Sequence, residues 1–78
     1  MSKNGKKYLK LEYYRKKYGY KQSDMAVLIG KKTSSYSHKV CGLTPFSFDE
    51  IKLIHTALNK ASKKAGDNPL TLDEIFLT

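Results

Sequence analysis

Apolar side chains in this sequence recur at helical spacing, and glycines cut the pattern into short lengths. Leu11, Tyr14 and Tyr18 follow i, i+3, i+7, with Tyr8 one turn earlier, and Gly19 stands where that helix would end. Met25, Ala26 and Ile29, flanked by Leu28, form a second inward stripe ahead of Gly30. Tyr36 and Val40 form a third, closed by Gly42. No stretch alternates with period two over strand length, so the spacing predicts an all-α chain. The first three helices fall at about 7–18, 22–29 and from Thr33 or Ser34 onward.

Two helix starts are written more explicitly. Ser47-Phe48-Asp49-Glu50 is a capping box, in which the Ser47 hydroxyl accepts the Glu50 amide while the Glu50 carboxylate reaches back. Phe46 and Ile51 are placed as a hydrophobic staple around it. Ile51, Ile54, Leu58, Ala61 and Ala65 then predict a helix over about 48–65, ending at Gly66, with its last turns partly exposed. After the turn residues Asp67-Asn68-Pro69, Thr71 and Glu74 form a second capping box for a fifth helix anchored by Leu72, Ile75 and Phe76. With 78 residues the chain closes one core, so residues 7–78 read as a single domain behind a flexible basic arm at 1–6.

The charge is divided along the chain. Residues 1–42 carry eleven Lys or Arg against Glu12 and Asp24, whereas residues 43–78 carry four lysines against five acids. A positive field confined to one region attracts and orients a polyanion, which a uniform solubilising surface would not do. No apolar run approaches the roughly 20 residues of a membrane span, and the first residues lack a signal-peptide core. Cys41 is the only cysteine, so no internal disulfide is expected. A soluble cytoplasmic protein that binds no membrane is the expectation. His38 and Cys41 stand i, i+3 but fall short of the four ligands a structural zinc takes, and nothing assembles a nucleophile with its base. No metal, cofactor, small-molecule ligand or enzymatic activity is therefore expected.

Arg15, Gly19, Gln22, Met25, Ala26, Ile29, Gly30, Tyr36, Gly42 and the run from Pro45 to Ile51 occur in an order that resembles a known family. The closing Leu72-Asp73-Glu74-Ile75-Phe76 belongs to the same likeness, which covers roughly residues 8–78. The family is the phage-repressor (Cro-like, xenobiotic-response-element type) helix-turn-helix domains. The resemblance implies a compact five-helix, lambda-repressor-like domain whose second and third helices dock on double-stranded operator DNA, usually as a homodimer, to regulate transcription. It places Thr33, Ser34 and His38 at base-reading positions, and it places Gln22 at a phosphate while bracing the reading helix. Short polar side chains suit the first turns of a helix in the major groove, which adds Ser35 and Ser37. Lys21, Lys31, Lys32, Lys39 and Thr44 are the expected phosphate contacts.

The chain departs from the family pattern at Lys31, at Val40-Cys41 and in the 59–69 connection, which is longer than most relatives have. Lys31 replaces an apolar residue after the turn glycine, and Val40-Cys41 replaces a common Glu-Asn. Relatives pair that glutamate with the first-helix arginine, so Arg15 is left to Glu50, to Asp24 or to a phosphate. These departures support a second function class, a protein-interaction module on the same fold, such as an antirepressor or phage inhibitor binding an acidic partner. Among the bland readings, Tyr8, Tyr14 and Tyr18 are core tyrosines with outward hydroxyls, Tyr13 faces solvent or DNA, Cys41 is semi-buried and His55 sits at the core boundary. The Ala61 and Ala65 end of the fourth helix reads as either exposed polar helix or a dimer surface, the second being favoured.

Overall fold

The computed structural model describes residues 8–76, so the basic arm predicted at 1–6, and Lys7 with it, lies outside the described residues. Five helices follow one another: α1 Leu9–Lys17, α2 Gln22–Leu28, α3 Thr33–Val40, α4 Phe48–Lys64 and α5 Leu72–Phe76. No strand occurs among the described residues. The α2 and α3 helices pack together, α5 packs on α1, and α4 lies against both α2 and α5.

The periodic residues are the ones that become buried. Leu11, Met25, Tyr36, Ile54, Leu58 and Ile75 lose all their exposed surface. Ala26, Ile29, Val40, Phe46 and Leu70 complete the core. Short helices cannot hold themselves together in water, so this shared apolar interior is what stabilises them. Between α2 and α3 the chain turns through Gly30 at φ +69, a left-handed conformation that a side chain would strain. There the Lys31 amide donates to the Ala26 carbonyl at 2.9 Å, satisfying the end of α2 as it closes.

Both capping boxes form. The Glu50 amide donates to Ser47 Oγ at 3.1 Å and the Ser47 amide to Glu50 Oε1 at 2.8 Å. Thr71 and Glu74 exchange the same pair at 3.1 and 2.9 Å. Phe46 does more than staple the start of α4. Its ring meets Tyr8, Phe76 and Tyr36 edge-on at centroid distances of 5.2, 5.7 and 6.2 Å. Tyr8 and Phe76 also touch each other at 5.9 Å, so three rings close the end of the domain where α1 begins and α5 finishes.

The connection after α4 is fastened rather than loose. Ser62, expected to be part of a half-exposed helix end, is fully buried and donates to the Asn68 carbonyl at 2.6 Å. Asn59 accepts the Leu70 amide at 3.0 Å. His55 Nε2 lies 2.7 Å from the Leu70 carbonyl, and because a carbonyl carries no proton, the imidazole is the donor. The Tyr18 hydroxyl donates to Asp67 at 2.7 Å, tying the same connection to the end of α1.

Phe46 and Phe48 stand two residues apart with opposite environments, 8% and 68% exposed. Phe46→Ala should cost about 3–5 kcal/mol in urea denaturation, which most of a domain this size cannot absorb. Phe48→Ala should stay within about 0.5 kcal/mol of the parent.

Candidate nucleic-acid interface

One half-buried carboxylate on α1, that of Glu12, ties α3 to the helices before it. Arg15 Nε and Nη2 donate to Glu12 Oε2 and Oε1 at 2.8 and 2.9 Å, a bidentate fork. The Tyr36 hydroxyl of α3 donates to Glu12 Oε2 at 3.0 Å, and Gln22 Nε2 of α2 donates to Oε1 at 3.2 Å. Arg15 Nη1 completes the group by donating to the Tyr20 carbonyl at 2.7 Å. Three helices thus meet at Glu12. Burial alone would raise its carboxyl, but the hydrogen bonds from Arg15 and Tyr36, the Arg15 charge and the Gln22 amide together hold it below the ordinary value. Burial and the Glu12 charge push the Tyr36 hydroxyl in the opposite direction, so it remains a proton donor.

This corrects the expectation for Arg15. It pairs with neither Glu50 nor Asp24 and does not turn outward to a phosphate; it is 8% exposed and bound to Glu12. The two residues are i, i+3 on one helix, close enough for the fork to form without any neighbour moving. Asp24 instead accepts the Lys21 amide at 2.9 Å, at the start of α2. Glu50 pairs with Lys39 at 3.1 Å. Lys39 also donates to the Pro45 carbonyl at 3.0 Å and is largely covered, so its ammonium, expected at a phosphate, is engaged within the protein. Burial opposes the Glu50 charge, but the Ser47 amide and Lys39 lower its carboxyl all the same.

The outward face of α3 carries Ser34, His38 and Cys41 at i, i+4 and i+7, all exposed, with Thr33 exposed at the helix start. Ser35 and Ser37 are half-buried on its flanks. Cys41 was expected to be semi-buried and is exposed, because its spacing from Ser34 puts it on the side opposite Tyr36 and Val40. It is the residue of this face that the sequence reading missed, and the seven-residue spacing was the available signal. Lys31 and Lys32 are exposed just before α3, Lys21 just before α2, and Thr44 in the following loop. None of the three lysines has an ion-pair partner among the described residues. Gln22 is half-buried, its amide nitrogen held by Glu12. Small polar groups and a histidine therefore lie on one exposed strip, with uncompensated cations at its N-terminal end.

No protein-family model, curated protein or solved structure matches this chain. No described helix is long and apolar enough to cross a membrane.

Glu12 and Glu50 both have carboxyls held below the ordinary 4.5, so the stability they contribute is present above that value and lost as pH falls through their folded values. Thermal midpoints should be nearly flat from neutral pH down to about pH 5 and fall below it. Glu12→Gln should lower the neutral midpoint and shrink the acid-dependent drop. Tyr36→Phe, which keeps the ion pair, should cost about 1–2 kcal/mol.

Proposed function

We propose that this chain is a sequence-specific double-stranded DNA-binding transcriptional regulator of the Cro-like, helix-turn-helix kind, with α2 and α3 as the helix-turn-helix. The observation that carries the reading is the pairing of an exposed strip of small polar side chains on α3 with Lys21, Lys31 and Lys32, which have no ion-pair partner among the described residues. A helix with such a strip can approach base edges in the major groove without a bulky residue holding it off. Ser34 and His38, on the outward face, read bases together with Thr33; Ser35 and Ser37 border the contact. Lys21, Lys31, Lys32 and Thr44 hold phosphates on either side. Gln22 acts chiefly as the brace between α2 and Glu12, and the free amides at the start of α2 face the anion beside it.

A reading helix this short covers a few base pairs, so useful selectivity calls for two copies on half-sites about 34 Å apart, one turn of DNA. The operator is then a near-palindrome. Resemblance to phage repressors makes a phage or mobile element the natural setting.

Mobility-shift titrations of duplex DNA at increasing salt test this reading. Affinity should fall steeply, with a log–log slope close to the number of phosphates neutralised. On a preferred duplex, Ser34→Ala and His38→Ala should each lose about 1–3 kcal/mol and relax the preference. Lys32→Ala should weaken all duplexes equally and reduce the salt slope by about 1. Altered preference in Lys32→Ala with none in Ser34→Ala would contradict these roles.

A further inference from the structure

A second surface lies outside this strip, along α4. Between α2 and α4 run two adjoining hollows of about 730 and 640 Å³ that share Tyr20, Leu28 and Lys60. Leu53 and Ala57 extend the apolar floor of the first, and Val27 and Ala61 that of the second. Leu53 is 48% exposed and Val27 78%, so large apolar side chains are left facing water here. None of Thr33, Ser34, His38, Lys31 or Lys32 lines either hollow.

The rim is charged in an ordered way. Lys52, Thr56, Lys60 and Lys64 stand four residues apart on α4, forming one ridge about 18 Å long beside the floor. Lys52, Lys60 and Lys64 have no ion-pair partner among the described residues, and Lys52 rests over the exposed Phe48 ring at 5.4 Å. Asp49 lines the first hollow and Asp24 the second; the Asp24 carboxylate already accepts the Lys21 amide.

We propose that the groove between α2 and α4 is the docking site for an amphipathic helix of a partner protein, whose apolar face seats on Tyr20, Leu28 and Leu53 and whose acidic flank lies along Lys52, Lys60 and Lys64. The other occupants fit less well. A nucleic-acid backbone satisfies the lysines but leaves the apolar floor unused. A second copy of a chain with net charge +8 brings cations to a cationic ridge. The chain's own first seven residues carry three lysines and no acid, so they match neither floor nor rim. An acidic amphipathic helix answers both at once, in the helix-in-groove manner. The ridge is long enough for about three turns of such a helix.

Two synthetic helical peptides of about 14 residues provide the test. They share a leucine stripe at i, i+3, i+4, i+7, one flanked by glutamates and the other by lysines. Each is titrated into the full chain labelled with ¹⁵N, with affinity read separately by fluorescence anisotropy. The acidic peptide should shift amides at Tyr20, Leu28, Leu53 and Ala57 and bind at least tenfold more tightly than the basic one. Leu53→Asp, and separately Lys60→Glu with Lys64→Glu, should each cut that affinity at least tenfold. Both variants should keep the parent far-UV circular dichroism and the parent affinity for duplex DNA. Should Leu53→Asp unfold, Leu53→Asn replaces it. The proposal is overturned if neither peptide binds by about 1 mM, if both bind equally, or if the shifts fall on Ser34 and His38. Concentration-dependent shifts of the groove without peptide would assign it to a second copy and also overturn it.

Discussion

The Glu12 carboxylate is the point on which the arrangement of the first three helices depends. It accepts from Arg15 on its own helix, from Gln22 at the start of α2 and from Tyr36 in the middle of α3. Removing it would strand a guanidinium that is 8% exposed and a fully buried hydroxyl, the situation in which a paired charge becomes a liability of several kcal/mol. The apolar core makes the helices stick, but apolar contact is non-directional. Four hydrogen bonds converge on its two oxygens, and the one from Tyr36 sets the side of α3 that turns inward, and with it which residues face out. The carboxylate sits on α1, and the tyrosine hydroxyl of α3 reaches across to it.

The same economy of acids explains why the charge asymmetry matters at the surface. The basic half of the chain contains two carboxylates, and both are engaged: Glu12 by Arg15, and Asp24 by the Lys21 amide. Lys39 is neutralised by Glu50 from α4. The lysines at 21, 31 and 32 are left facing solvent without an ion-pair partner among the described residues. Neither acid of this half forms an ion pair with those lysines, so the field around α3 is set by the lysines. On α4, Lys52, Lys60 and Lys64 likewise have no ion-pair partner among the described residues, but they stand beside an apolar floor.

The parts of this architecture that depend on near neighbours were legible in the sequence. Helical spacing identified the buried stripes, and both capping boxes formed because donor and acceptor sit three residues apart. The all-α class and the five helices follow from those signals. The outward face of α3 was legible in part: Ser34 and His38 stand one turn apart in the sequence, whereas Cys41, seven residues after Ser34, reads as semi-buried beside Val40 and is exposed. Contacts between distant segments were not legible. Nothing local says that Tyr36 reaches Glu12, that Lys39 turns to Glu50, or that Ser62 is buried under the Asn68 carbonyl. Arg15 shows a subtler failure. Its partner was within one turn, but the family pattern directed attention to a glutamate elsewhere.

If α3 is a reading element held by Glu12, as proposed, selection of bound sites from a pool of random duplex DNA with the full chain tests it most directly. One motif should be enriched, arranged as two inverted half-sites about one helical turn apart, and should be lost from the pool when Ser34 and His38 are replaced by alanine. Recovery of unselected sequence at every salt concentration, or a motif that survives that double replacement, would contradict it.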